Sequence, residues 1–319
     1  MMGLSDGAIG RLRGLSRPPE FATDRYGLVE EIGRGGMGAV YLAFDRDLNR
    51  EVAIKVPHDG GSSALERRLR LEAHVLARLE HPGIVPIHDV GRLADGRLFY
   101  VMKRVRGQTL RDHLAHVAER GERLRIFERI CEPVAFGHAH GCIHRDLKPE
   151  NIMIGSFGEV LVMDWGVARV EDSEEFVRDQ AVVVGTRGFM SPEQAAAPAD
   201  VDERSDVYSL GAILYLLLTD QDPGERGDPA AAMQRARNVP RPLRSICAHA
   251  VAASPGGRYP TVSDLAADVA RYRLGSAVQA HKESLGERAM RFMRTYRVAI
   301  LLVVAYLVMR AFVAFMFGQ

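Results

Sequence analysis

The segment "CIHRDLKPENIMI", residues 142–154, sets His144, Arg145, Asp146, Lys148, Glu150 and Asn151 between apolar residues. Asp146 is a carboxylate able to accept the proton of an attacking hydroxyl. Lys148, two residues on, is a cation for a charged group in transfer, and Asn151 offers an amide oxygen to a hard ion such as Mg2+. Eighteen residues after Asp146, the stretch "VMDWGVAR" supplies a second oxygen ligand in Asp164. A base, a cation and two metal-binding oxygens suit the movement of a phosphoryl group. That chemistry asks the protein for positioning and charge neutralisation rather than for a covalent partner.

Two elements upstream have to hold the phosphates against these groups. In "YGLVEEIGRGGMGAVYLAFDRDLNREVAIKVP" the apolar runs predict short strands at 28–32, 39–44 and 51–56, joined by Gly-rich and Asp/Asn turns. Gly33, Gly35 and Gly38 give G-x-G-x-x-G followed by Val40, where missing Cβ atoms let backbone N–H groups approach phosphate. Alone this spacing also describes a flexible hairpin turn. A dinucleotide-binding fold requires a helix directly after the glycines, and "AVYLAF" continues instead as strand. The loop therefore joins two strands, and Lys55 lies on the third. A second charge has to hold that lysine. The segment "SALERRLRLEAHVLARLEHP" has helical periodicity in Leu69, Val75, Leu76 and Leu79 and carries Glu72 among them. Glu72 is the expected partner, with Glu66 and Glu80 as rivals; Glu72 is favoured by the apolar Leu76 at i+4.

The whole chain sets the limits. Its 319 residues suit two lobes, and a 47% apolar, 26% charged composition is that of a folded protein. A formal net charge of +1 gives no global field for nucleic acid, so phosphate binding has to be local and no nucleic-acid partner is expected. Cys131, Cys142 and Cys247 are far apart with no C-x-x-C pair, which argues against a disulfide framework or a zinc site. Residues 1–25 mix Gly, Ser, Pro and Arg without an apolar run and are expected to form a flexible extension.

With these motifs in register the chain resembles the eukaryotic-like (bacterial-type) serine/threonine protein kinases: "HRDLKPEN" matches their catalytic loop in every position. The resemblance covers residues 26–274 or so and implies an α+β fold of two lobes. The small N-lobe, 26–104, would be β-rich with one main helix, and the larger C-lobe, 105–275, mainly helical. It implies Mg-ATP as cofactor, with Mn2+ as the alternative ion, and Ser/Thr hydroxyls of proteins as substrates, the class marked by a lysine two residues after the aspartate. Ile32, Gly33, Arg34, Gly35, Gly36, Gly38 and Val40 would then cover the nucleotide, while Ala53, Met102, Val105 and Met153 would line the adenine pocket. Residues 98–105 would be the last N-lobe strand and the hinge. Lys55, oriented by Glu72, would hold the α- and β-phosphates; Asp146 would be the base, Lys148 the cation near the γ-phosphate, and Asn151 and Asp164 the metal ligands. His144 would be structural, Asp206 would brace the catalytic loop, and Arg258 would pair with Glu193 of "SPE", which stands for the family's A-P-E.

The chain also departs from the family pattern. Trp165 replaces the usual Phe after Asp164 and is expected to pack against the helix bearing Glu72. Between Val167 and Thr186 the only hydroxyl residue is Ser173, and Arg178 and Gln180 stand where many relatives carry phosphorylated threonines. Activity independent of loop phosphorylation is the expectation. Two other readings compete: a membrane-anchored pseudokinase scaffold and a kinase-like small-molecule phosphotransferase. The first usually lacks Lys55, Asp146 or Asp164, and the second usually lacks the "GT…SPE" segment; all are present here.

The C-terminus is of a different character. Residues 298–317 are apolar apart from Arg310 and follow a basic juxtamembrane segment, 276–297, with Arg288, Arg291, Arg294 and Arg297. Twenty residues at ~1.5 Å each span ~30 Å, the thickness of a bilayer core. An arginine there costs ~2.5–3.5 kcal/mol, against ~−3.6 to −7 kcal/mol from the Val, Ile, Leu and Phe residues. A single transmembrane helix in the cell membrane is expected, with lipid around it and the kinase lobes on the cytoplasmic, arginine-flanked side. Arg310 would snorkel, or would face a partner helix and promote self-association. An amphipathic surface helix and a buried docking helix are the alternatives.

Overall fold

The computed structural model describes residues 19–35, 38–58, 63–165, 169–170, 186, 188–196, 201–224 and 228–317. Three strands open the small lobe: β1 (Tyr26–Gly35), β2 (Gly38–Asp45) and β3 (Arg50–Pro57). They form an antiparallel meander whose register sets Val40 opposite Lys55. Gly38 is obligatory in this pairing, because a Cβ there would fall 2.1 Å from the Val56 carbonyl oxygen. The turn into β3 uses Asn49 at φ 51°, a left-handed conformation that Asn tolerates. After helix α1 (Ser63–Arg78), strands β4 (Ile87–Arg92) and β5 (Leu98–Lys103) complete a five-stranded sheet in the order β1-β2-β3-β5-β4. Cross-strand pairs Ala53 with Met102 and Lys55 with Tyr100 join β3 to β5. The three expected strands and the helix are thus present, each strand somewhat longer than its apolar run.

The expected flexible extension ends earlier than residue 25. Phe21 packs edge-on against Phe99, with ring centroids 5.0 Å apart, and Arg25 reaches Asp45 and Asp89 at 3.0 Å. Residues 20–25 therefore brace the outer face of the small-lobe sheet. Residues 1–18 lie outside the described residues.

The large lobe is built on helices. α2 (Leu110–Leu114) and α3 (Arg120–Ala139) precede the short strand β7 (Cys142–Ile143); β6 (Gly107–Thr109), β8 (Ile152–Gly155) and β9 (Val160–Val162) make a small sheet ordered β6-β8-β9. β10 (Arg169–Val170) pairs with β7. α4 (Pro192–Ala196) and α5 (Arg204–Thr219) follow, then α6 (Pro229–Arg235), α7 (Arg241–Ala250) and α8 (Val262–Arg273). α5 is buried from Ser205 to Leu218, which suits a helix apolar nearly all round and makes it the axis of the lobe. One hydrophobic core runs from Ala53 and Leu76 through Ile130 and Trp165 to Leu243 and Val269, joining the two lobes.

Two more helices end the described chain: α9 (Leu285–Thr295) and α10 (Arg297–Phe317). The helix expected over 298–317 is present, and its described side chains are almost all exposed, Leu301 and Leu302 at 67%. Among the described residues, however, no single helix is long and apolar enough to cross a membrane. Leu285–Met293 and Arg297–Arg310, bent by 75°, reach that length and composition only together. The single straight span of the sequence reading is in this respect not found.

Candidate active site

The catalytic loop between β7 and β8 is suspended from α5. Asp206, fully buried, accepts the backbone N–H of His144 through Oδ2 (2.8 Å) and that of Arg145 through Oδ1 (2.9 Å). His138 Nε2 lies 2.7 Å from the same carboxylate. Burial pushes the Asp206 carboxyl up, but these hydrogen bonds and charges outweigh it and hold it below the usual range. A fixed anion is what a strained loop needs, since Arg145 sits at φ 69°. Gln194 of α4 adds a second tether, its amide donating to the Arg145 carbonyl at 2.7 Å. His144 is structural, as expected: it is buried, with Nε2 3.0 Å from the Met163 carbonyl and Nδ1 accepting from the Asp146 N–H.

Asp146 stands at the centre of the polar cluster. Lys148 Nζ donates to its Oδ2 at 2.7 Å and also to Thr186 Oγ1 at 2.9 Å. Asn151 donates through Nδ2 to the Asp146 carbonyl (2.8 Å) and to Oδ2 (3.1 Å). The hydroxyl of Thr186 faces Oδ1 at 3.4 Å. Thr186 was not singled out as a site residue from the sequence, and the "GT" ahead of "SPE" is the signal that could have marked it. Asn151 spends its N–H2 group on Asp146, so its amide oxygen is the atom that could face an ion. The Asn151 carbonyl accepts the N–H of Met163, which brings Asp164 to the same corner. Two oxygen donors suit Mg2+, which keeps waters and substrate phosphates in its other positions. Among the described residues no group of three or more His, Cys, Asp or Glu side chains is arranged to hold a metal ion.

Lys55 is held from two sides. Its Nζ donates to both oxygens of Glu72 at 2.8 Å and to Asp164 Oδ1 at 2.7 Å, with the Tyr100 ring 5.9 Å away. The rivals are settled by position: Glu66 engages Arg70 and Arg92 (3.3 and 3.0 Å), and Glu80 is exposed. Burial opposes a charge on Lys55, but Glu72, Tyr100 and Asp164 raise it well above the ordinary lysine value. Asp164 is pushed up by burial and brought down to about 2 chiefly by Lys55. Glu72 is the weak member, since burial, reinforced by the Asp164 carboxylate, raises it from 4.5 to about 7. A carboxyl raised in the fold contributes most to stability below 4.5 and loses that contribution as pH rises through 7. Lowering the pH from 8 to 6 is expected to raise KM for ATP several-fold, and Glu72→Gln to show the raised KM at every pH. An unchanged pH profile in that variant would show that another group titrates.

The residues expected to face the nucleotide differ in their surroundings. Ala53 and Met102 are buried in the core that continues between the lobes, Val40 and Val105 are half-buried against it, and Met153 is half-buried on β8. A Cβ built on Gly35 would meet nothing within 4 Å, and one on Gly33 would meet Val40 at 3.9 Å. Ile32 is exposed. Arg34 has its guanidinium turned onto Glu31 at 2.7 Å. Gly36 and the loop positions Ser173, Arg178 and Gln180 lie outside the described residues.

Trp165 is buried beside the catalytic loop: its ring lies 4.7 Å from that of His144, and Nε1 approaches the Val162 carbonyl at 3.4 Å. The larger ring fits because α3 carries Gly137 beneath it. A Cβ on Gly137 would fall 2.7 Å from Trp165 Cη2. Gly137→Ala is therefore expected to cost ~1–3 kcal/mol of stability through overpacking, and adding Trp165→Phe to recover most of it. Thermal unfolding of the two variants checks this; a neutral Gly137→Ala, or no recovery in the double variant, refutes the steric pairing.

The last constraint ties the substrate side to the lobe. Arg258, its side chain wholly buried, makes a bidentate pair with Glu193 (2.6 and 2.8 Å), and Ser205 donates to the same carboxylate at 2.6 Å. The partners anticipated from the sequence are thus in contact.

Comparison with known proteins agrees with this geometry. The protein kinase domain family matches residues 26–264. The serine/threonine-protein kinase PknB of Mycolicibacterium smegmatis is 40% identical over 286 residues, covering 83% of this chain and 45% of that protein. PknB of Mycobacterium tuberculosis is 39% identical over 284 residues, again 83% and 45%. PknD of Protochlamydia amoebophila is 35% identical over 301 residues, 79% of this chain and 30% of that protein. The chain spans less than half the length of these curated relatives. It belongs to the protein kinase family.

Proposed function

We propose that this chain transfers the γ-phosphoryl group of ATP, with Mg2+ or Mn2+, to Ser and Thr hydroxyls of proteins, and that it does so tethered to a membrane. The observation that carries the catalytic part is Asp146, a carboxylate with Lys148, Asn151 and Thr186 all within hydrogen-bond reach. Asp146 would accept the proton of the substrate hydroxyl, and Lys148 would offset charge on the group in transfer. Lys55, oriented by Glu72, would hold the nucleotide phosphates. Asn151 and Asp164 would hold the ion, which when bound bridges phosphate oxygens and neutralises their charge.

The tether rests on 298–317, a helix whose apolar side chains have no protein cover where they are described. Arg288, Arg291, Arg294 and Arg297 precede this helix, which favours a cytoplasmic kinase domain by the positive-inside tendency. Incubation with labelled ATP, Mg2+ and a generic basic protein should label serine and threonine, whereas a scaffold would label nothing and a small-molecule phosphotransferase would leave the protein unlabelled. In alkaline carbonate the full chain should stay with the membrane and a chain ending at residue 296 should be released. Release of both would refute the tether.

A further inference from the structure

The segment between the catalytic lobe and α10 is neither a loose linker nor merely basic. Ser276 donates its N–H to the Arg271 carbonyl (2.8 Å), Val278 is buried, and the N–H groups of Gln279 and Ala280 bind the two oxygens of Asp268 at 2.8 and 2.9 Å. Asp268 is itself fully buried and takes the Tyr259 hydroxyl at 2.9 Å. Ser245 then meets His281 at 3.0 Å, and a capping box between Ser284 and Glu287 starts α9. Residues 276–284 are a strap that fastens α9 to the large lobe.

α9 presents two unlike faces. Glu287, Met290 and Arg291 border a groove whose other wall includes Arg120, Leu124 and Tyr272 of the lobe. Glu287 faces His281 at 3.4 Å and Arg241 at 3.8 Å, and Arg291 binds Glu283 at 2.8 Å. Leu285, Phe292, Met293 and Tyr296, at i, i+7, i+8 and i+11, fall on the opposite side. They are 86%, 57%, 52% and 51% exposed, and the rings of Phe292 and Tyr296 meet at a tilt of 46° with centroids 4.7 Å apart. Between Lys282 and Arg297 five cations stand against two carboxylates. The apolar face runs directly into α10, across a 75° bend. A helix with one apolar face, basic residues and a near-perpendicular junction to an apolar helix has the form of an in-plane interfacial helix.

We propose that α9 lies in the headgroup region of an anionic bilayer, with Leu285, Phe292, Met293 and Tyr296 in the acyl boundary, and that the strap holds the large lobe in one orientation above it. This takes its bilayer from the membrane tether proposed above but makes a separate claim about α9.

The three native cysteines are all buried, so a cysteine introduced into the full chain can be labelled alone. Spin labels at Met293→Cys and, separately, at Val304→Cys in α10 are read for oxygen and for aqueous-reagent accessibility in vesicles with and without phosphatidylglycerol. A label at 293 shielded about tenfold from the aqueous reagent and open to oxygen, in anionic vesicles, is the expected result. A lipid-exposed 304 with a water-exposed 293 overturns the interfacial helix and leaves the tether standing. A water-exposed 304 with a shielded 293 removes the tether and supports the surface helix. Equal shielding of 293 without the anionic lipid refutes the charge-selective part. Spin–spin coupling between labels at 293 identifies a second copy as the occupant and refutes the lipid proposal.

Discussion

Asp146→Asn is expected to lower kcat by ~10² or more while leaving KM for ATP within about two-fold, because the change removes the proposed base and leaves the groups proposed to hold phosphate in place. Lys55, Glu72 and Asp164 form a separate cluster whose hydrogen bonds do not include Asp146. An asparagine is close to isosteric with the carboxylate and can still accept from Lys148, so the catalytic loop should keep its shape on Asp206. Single-turnover measurement with saturating ATP and metal isolates the chemical step. Near-normal turnover in that assay would mean that the proton leaves by another route, and the assignment of Asp146 would fall. A parallel rise in KM for ATP would instead show that the substitution disturbs the nucleotide cluster.

How legible the site was depends on how its contacts are made. Asp146, Lys148 and Asn151 lie on one tight loop, so their spacing in the sequence is nearly their spacing in space. Lys55 and Glu72 are 17 residues apart, yet one sits on a strand and the other on an amphipathic helix, and each period leaves only one face for them to meet. Thr186 was not anticipated as a partner of Asp146: 40 residues separate them, and no local periodicity brings a loop hydroxyl back to a carboxylate. The fit of Trp165 over Gly137 was equally hidden, because a glycine within a helix shows its reason only when the ring above it is in place. Asp268 was not singled out from the sequence; its carboxylate takes the backbone N–H groups of residues 279 and 280, which composition does not disclose. In the sequence the basic residues before α10 overshadowed the apolar stripe of α9, although the period of 3.6 was there to be counted.

Arg258→Leu is expected to destabilise the fold by about 3–5 kcal/mol, the cost of leaving one member of a buried ion pair alone. At ~2–4 °C per kcal/mol for a domain of this size, the unfolding midpoint should fall by roughly 10 °C. The guanidinium does more than neutralise Glu193: it also donates to the carbonyls of Ala252 (2.7 Å), Arg204 (2.9 Å) and Ala253 (3.0 Å), which would lose that donor. Glu193→Gln should therefore cost less than Arg258→Leu, since the amide still accepts from Arg258 and Ser205 and the three carbonyls keep their donor. Acid separates the contributions. Burial pushes the Glu193 carboxyl up, but hydrogen bonds from Arg258 and Ser205 bring it from 4.5 down to about 2. A carboxyl lowered in the fold contributes its full stability above 4.5 and loses it as the pH falls toward 2. The native chain should thus lose stability across that window more steeply than Glu193→Gln does. α4 carries both Glu193 and the Gln194 that holds the Arg145 carbonyl, so phosphoryl transfer by Arg258→Leu should weaken at temperatures where most of the chain is still folded. An Arg258→Leu protein as stable as the native one, or equal acid sensitivity in Glu193→Gln, would show that the pair is a bystander to the fold.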